Sequence, residues 1–138
     1  EKHKGRMAIP ILKFKNQLEK SKECNLFKAY GGYNNGEHLR DFIYVDDVVD
    51  VTLWSMFDSF KSGIYNVGTS CPSTFNQIAN TLIKKLGFGS INYIDFPDDL
   101  KNKYQPFTSA DISKLRDAGY QKKFHSLEEG INKYLTCL

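Results

Sequence analysis

The segment from Arg40 to Gly68 constrains the fold more than any other part of this chain. Arg40-Asp41-Phe42-Ile43-Tyr44-Val45 reads as a strand that leads into Asp46 and Asp47. Either aspartate can cap a following helix, predicted over 48–60, by accepting from backbone N–H groups that lack a helical partner. Ser62-Gly63 then breaks the helix, and Ile64-Tyr65-Asn66-Val67-Gly68 reads as a short buried strand. Strand, helix, strand in this order permits a parallel crossover without requiring one.

The same alternation runs through the rest of the sequence. Apolar residues at 7, 9, 11, 12, 14 and 18 suit an amphipathic helix over 7–18, with Pro10 tolerated in its first turn. Leu26-Phe27 suggests a short strand, and Gly31 to Gly36 a loop. Ser73 or Thr74 is positioned to cap a helix over 75–86 that Gly87 ends. A strand is predicted over 91–96 and a short helix over 109–118, closed by Gly119. Ser126 with Glu129 forms a capping box that opens a last helix over 127–135. Helices and short strands in alternation make the class α/β or α+β.

Composition removes several classes. The 138 residues are 41% hydrophobic and 25% charged with a net charge of +3, which excludes global disorder. No apolar run approaches the roughly 18 to 20 residues of a membrane helix, so a soluble protein is expected. Cys24, Cys71 and Cys137 are odd in number and widely spaced, and are expected to be reduced thiols of a cytoplasmic protein. Charge is uneven: residues 1–40 hold nine Lys or Arg against four Glu, and 41–138 hold ten against twelve acids. An anion-facing N-terminal segment is one explanation, and a solvated helix face is the other.

Catalytic signatures are few. GxSxG, HExxH, the Walker lysine loop and GxGxxG are all missing, and His3, His38 and His125 fit no metal spacing. None of the eight tyrosines is followed four residues later by lysine. Three clusters remain. His3-Lys4-Gly5-Arg6-Met7 sets two cations around a glycine ahead of a helix, an arrangement suited to phosphate. Arg40 stands at the start of a strand, where a guanidinium fork can reach a cleft. Lys101-Asn102-Lys103-Tyr104-Gln105-Pro106-Phe107-Thr108 sets Tyr and Gln beside Lys, which suits a sugar or phosphate.

Together these clusters resemble one family. Arg40-Asp41-Phe42-Ile43-Tyr44-Val45-Asp46-Asp47-Val48 followed by Ile64-Tyr65-Asn66-Val67-Gly68-Thr69 is similar to the C-terminal half of an extended short-chain dehydrogenase/reductase, a Rossmann-type α/β enzyme of the NAD-dependent epimerase/dehydratase family. His3-Lys4-Gly5 with Met7-Ala8, Phe96-Pro97-Asp98 with Leu100-Lys101, and Tyr104-Gln105-Pro106-Phe107-Thr108-Ser109-Ala110-Asp111 resemble its ADP-heptose 6-epimerase branch. Ala118-Gly119-Tyr120 and the final Leu127-Glu128-Glu129-Gly130 agree with it.

The resemblance implies that residues 1–138 are the substrate-binding C-terminal portion of a longer bacterial enzyme. The NADP-binding Rossmann domain, with its glycine-rich turn and Tyr-x-x-x-Lys pair, would precede it, in keeping with a start at Glu1 rather than Met. Strands 42–45 and 64–67 would join that domain's sheet, and the portion alone would be inactive. The implied reaction inverts C6 of an ADP-linked heptose through oxidation and reduction by NADP, within heptose synthesis for the lipopolysaccharide core. Lys4 would be the acid/base that also meets the cofactor, and Arg40 would fork onto the diphosphate. Arg6, Lys13, Phe27, Lys28, Ala29, Tyr30 and Tyr104 would contact substrate, in a cytoplasmic homo-oligomer that binds neither metal, nucleic acid nor membrane. The chain departs from the pattern at Arg6, where a relative has Ser, and at Lys13, where a relative has His. Of a Phe-Glu-Gly-Ser-like segment only Phe27 is identical. Two other readings compete: a different nucleotide-sugar epimerase or dehydratase of the same superfamily, and a non-enzymatic anion-binding module resting on the basic 1–40 segment.

Overall fold

The structure is a computed structural model that describes residues 9–57 and 61–137. Five helices and four short strands run in the order α1 (Pro10–Ser21), β1 (Glu23–Phe27), β2 (Leu39–Arg40), α2 (Val45–Phe57), β3 (Ser73–Thr74), α3 (Phe75–Leu86), β4 (Ser90–Ile94), α4 (Ser113–Asp117) and α5 (Leu127–Thr136) among the described residues. They form two compact units, one from residues 1–39 and 74–107 and the other from 40–73 and 108–138.

In the first unit, β1 and β4 pair in parallel, with Cys24 opposite Ile91 and Leu26 opposite Tyr93. Cys24 and Leu26 alternate inward and are buried, as the period of a strand dictates. Against them pack Leu12, Phe14 and Leu18 of α1 and Ile78, Ala79 and Leu82 of α3. Burial of the Cys24 thiol pushes its pKa up to about 12, with the Lys13 cation opposing, so it stays protonated. Local signals set both helices. Pro10 occupies the first turn of α1 as expected, although the helix spans 10–21 rather than 7–18. Thr74 accepts from the Gln77 N–H while the Gln77 side chain accepts from the Thr74 N–H, and Gly87 ends α3 at φ +78°.

In the second unit, Val51, Leu115, Tyr120 and Phe124 form the core, with Ile43, Trp54, Tyr65, Val67 and Ile112 packed against it. The Ser126–Glu129 capping box opens α5 as predicted. Other expectations shift. α2 begins at Val45, so Asp46 and Asp47 lie in its first turn instead of capping a helix over 48–60. The helix expected over 109–118 is only Ser113–Asp117. The strands predicted over 42–45 and 64–67 do not pair into a ladder among the described residues. A strand needs a partner as well as an apolar pattern, and neither segment has one within this unit. No described helix is long and apolar enough to cross a membrane.

Candidate functional site

Residues from five separate stretches of the first unit surround a cleft of about 210 Å³. α1 supplies Pro10, Lys13 and Phe14, and β1 supplies Asn25, Leu26 and Phe27. Gly36 and His38 come from the following loop, Phe75 from the start of α3, and Tyr104 from the loop after β4. The walls are mostly rings and aliphatic groups, with a few polar groups among them, the usual make-up of a small-molecule site. Gly36 is required where it stands. Its φ is +68°, and an added Cβ would run into the side chains of Asn76 and Leu26.

The rings hold one another in place. Tyr104 meets Phe27 edge-on at 6.4 Å between centroids, Phe96 at 5.0 Å and His38 at 5.2 Å. Tyr30 stacks on Phe96 at 4.3 Å, and its hydroxyl donates to the Lys101 carbonyl. His38 is 1% exposed, and its Nε2 lies 3.1 Å from the Tyr30 carbonyl oxygen. Edge-on aromatic pairs of this kind add about 0.5–1.5 kcal/mol beyond area burial. The cleft wall is therefore stiff on its aromatic side, whereas Lys13 is exposed at its lip.

Of the residues singled out from sequence, Lys13, Phe27 and Tyr104 meet in this cleft. The next three stand nearby with other tasks. Lys28 pairs with Asp95 at 2.8 Å, the Ala29 N–H donates to Asn35 Oδ1 at 2.8 Å, and Tyr30 backs Phe96. Arg40 belongs to the second unit. Lys4 and Arg6 lie outside the described residues. Sequence reasoning missed Asn25, His38, Phe14 and Phe75. His38 carried no motif, and its burial arises only because residues 30, 96 and 104 close around it.

The second unit explains the aspartate of the Arg-Asp-Phe motif. Asp41 accepts from the Thr69 N–H at 2.8 Å, the Ser70 N–H at 3.0 Å and the Ala110 N–H at 2.9 Å, and also from the Thr69 hydroxyl. One carboxylate thus ties two other chain segments, at 69–70 and at 110, to its own. Gly68 permits the approach, since a Cβ there would lie 2.7 Å from Asp41 Oδ2. Burial acts to raise the Asp41 pKa, but the bonds from Thr69, Ala110 and Ser70 outweigh it and hold it below the ordinary carboxylate value. Asp41→Asn is expected to cost about 2 kcal/mol at pH 7, the scale of hydrogen bonds to a charged group. Because the folded pKa is the lower one, this stabilisation is full above the ordinary aspartate pKa of about 3.9 and fades as pH falls through the folded value. Urea unfolding should therefore separate wild type from Asp41→Asn clearly at pH 7 and less below pH 4.

A second cleft, about 330 Å³, lies within that unit near Arg116, Lys123, Phe124 and His125, and no residue predicted for the site lines it. The Arg116 guanidinium sits 4.8 Å from the Phe124 ring and donates to the Tyr120 and Lys122 carbonyls, each at 2.8 Å. His125 Nδ1 and its N–H both engage the buried Asp47 carboxylate, at 2.8 and 2.9 Å. These groups are committed to holding the turn before α5. No cluster of three or more His, Cys, Asp or Glu able to hold a metal occurs among the described residues.

An α/β chain with an aromatic cleft beside a parallel strand pair has clear relatives. The chain matches the NAD dependent epimerase/dehydratase family over residues 2–68. More particularly, it is 44% identical over all 138 residues to an ADP-L-glycero-D-manno-heptose-6-epimerase of Alkalilimnicola ehrlichii, and spans 43% of that protein's length. The crystal structure of the Helicobacter pylori ADP-L-glycero-D-manno-heptose-6-epimerase matches 96% of this chain and 38% of its own, with a TM-score of 0.78 and 31% identity. The Bordetella bronchiseptica enzyme WbmG, solved with NAD and UDP, matches 95% of this chain and 39% of its own at a TM-score of 0.73. Its 19% identity makes that likeness one of fold alone.

Proposed function

We propose that this chain is the substrate-holding part of an enzyme that interconverts ADP-D-glycero-D-manno-heptose and ADP-L-glycero-D-manno-heptose at C6, in heptose synthesis for the lipopolysaccharide core. The observation that carries the reading is the convergence of Lys13, Phe27 and Tyr104, which are remote in sequence, on one cleft. The kinship with heptose epimerases over the whole chain supports it.

In this reading the ring faces of Phe27 and Tyr104 take flat or apolar surface of the nucleotide sugar, and Lys13 at the lip offsets phosphate charge. Arg40 forks onto the diphosphate, Arg6 adds a second cation, and Lys28, Ala29 and Tyr30 form the rim. Lys4 exchanges a proton with the oxygen carried by the inverted carbon.

The cofactor in this reading is NADP, which supplies hydride acceptance and return when bound. The described residues do not fit it. A dinucleotide needs close backbone approach at a free helix N-terminus. α2 carries Asp46 and Asp47 in its first turn, α3 and α5 are closed by capping boxes, and the uncapped start of α1 follows directly on residues outside the described ones. We therefore assign NADP no contact among them and route no step of this chain through it. A cytoplasmic location and a homo-oligomeric intact enzyme belong to the same proposal.

The test is a substrate panel. The intact protein that carries this chain should epimerise ADP-heptose and leave UDP- and dTDP-sugars unchanged. Turnover of a UDP- or dTDP-sugar with none of ADP-heptose would move the assignment to another member of the family.

A further inference from the structure

Two loops meet over the aromatic side of the cleft, and His38 lies where they touch. The first, between β1 and β2, folds back on itself at Tyr30-Gly31-Gly32-Tyr33. Tyr30 and Tyr33 exchange backbone hydrogen bonds at 3.1 and 3.2 Å, and the two glycines between them take φ of +61° and +84°. Such a left-handed pair is what a tight two-residue turn requires. The second loop follows β4 and carries Phe96, Tyr104 and Pro106. The Leu39 N–H donates to the Pro106 carbonyl at 2.9 Å, which ties the residue after His38 to that second loop.

The His38 side chain joins the two loops. A carbonyl only accepts, so the 3.1 Å contact between Nε2 and the Tyr30 oxygen requires a proton on Nε2. The same oxygen accepts from the Tyr33 N–H, so both of its lone pairs are used. The imidazole plane is thereby fixed relative to the turn. From that position it meets the Tyr104 ring at 5.2 Å and 82°. Phe27 and Phe96 also touch Tyr104, but a phenyl ring has no hydrogen bond with which to fix its plane. Tyr104 reaches the cleft from a loop rather than from a helix or strand, so its pose depends on its neighbours. We propose that His38 is a positioning residue for substrate binding: its imidazole, pinned to the Tyr30 carbonyl, sets the pose in which Tyr104 grips the nucleotide sugar.

The proposal rests on the reading of this cleft as the nucleotide-sugar site and deepens it. It also states where the effect falls. Tyr104 in that reading holds the ligand and not the reacting carbon, so a displaced Tyr104 weakens ground state and transition state alike. A loss of that kind raises KM and leaves kcat in place. General loosening of the first loop is a separate effect, and it can be produced from outside the cleft. Asn76 at the start of α3 donates to the Asn35 carbonyl at 2.9 Å and to the Glu37 carboxylate, and accepts from the Tyr93 hydroxyl at 3.0 Å. It tethers the same loop without lining the cleft.

The test is a double-mutant cycle in the intact protein, read as KM and kcat for ADP-heptose, or for the UDP- or dTDP-sugar if the substrate panel selects one. His38→Gln keeps an N–H within reach of the Tyr30 carbonyl and removes the ring. It should raise KM about 5- to 10-fold, the scale of a lost edge-on ring contact, with kcat within about twofold of wild type. In a Tyr104→Ala background the same substitution should cost less than about twofold, because no ring is left to position. Asn76→Ala, by contrast, should have the same effect in either background. If His38→Gln does not fold, His38→Leu takes its place in the cycle with the same expected coupling. An unchanged KM in the His38 variant, with KM raised by Tyr104→Ala, would overturn the positioning role and leave the site reading intact. An unchanged KM in Tyr104→Ala would overturn both. An equal cost in the two backgrounds, or coupling as large for Asn76→Ala, would reduce His38 to a support of the loop and overturn the proposal. A fall in kcat at constant KM would overturn it as well.

Discussion

Lys4→Met in the intact protein is expected to remove nearly all epimerisation of ADP-heptose while leaving substrate binding within a few-fold of wild type. The reason lies in proton chemistry. A lysine amine has an ordinary pKa of about 10.4, so at pH 7 only about one molecule in 2,500 carries the neutral amine that can accept a proton. A residue in that state makes a poor base unless burial or nearby positive charge lowers its pKa. If Lys4 serves as acid/base at C6, its replacement by an uncharged chain of similar length removes the proton route and keeps the packing. Loss of a positioned acid/base typically costs 10²- to 10⁴-fold in rate. The sugar products can be followed by chromatography and the binding by equilibrium dialysis. Turnover near the wild-type rate would remove Lys4 from the mechanism. A parallel loss of binding would make it a binding residue instead.

Arg40→Ala should weaken ADP and ADP-heptose together, by about 2 kcal/mol, or roughly 30-fold in Kd. The equal effect on both ligands is the informative part, since the diphosphate is what they share. A guanidinium fork bonds phosphate oxygens in pairs, whereas an ammonium acts as a point charge. Arg40→Lys should therefore recover only part of the loss. Calorimetry with ADP alone reads this without any turnover. An unchanged affinity for ADP would sink the phosphate role, and a loss confined to ADP-heptose would move Arg40 to the sugar.

How far each element could be read in advance follows from the range of the interaction that makes it. α3 and α5 begin where the sequence predicts because a capping box is closed within four residues, Thr74 to Gln77 and Ser126 to Glu129. Gly87 ends α3 for an equally local reason, a left-handed backbone that a side chain would resist. α2 drifts by three residues because Val45, read as the end of a strand, had no sheet to hold it there. The segments 42–45 and 64–67 have the composition of strands, and nothing local can tell a strand from an extended segment awaiting its neighbour. In the site, Lys13, Phe27 and Tyr104 could be named through kinship, but their meeting could not. It depends on α1, β1 and the loop after β4 being packed together. His38 and Asp41 were harder still. One is a site residue only because the distant rings of Phe96 and Tyr104 close on it, and the other a clasp only because residues 69, 70 and 110 turn their N–H groups toward it.

Alone, then, the order of residues determined the α/β class, the helix ends at 74–75, 87 and 126–127, and the kinship with nicotinamide-dependent epimerases. Caps, breakers and motifs are written in near neighbours. Only the packed chain decided that an aromatic cleft exists beside β1, that Asp41 binds the segments at 69–70 and 110, and that α2 keeps a second apolar face open. Each of those depends on groups tens of residues apart arriving at one place. Burial and hydrogen-bond partners are properties of that arrival rather than of any stretch of sequence.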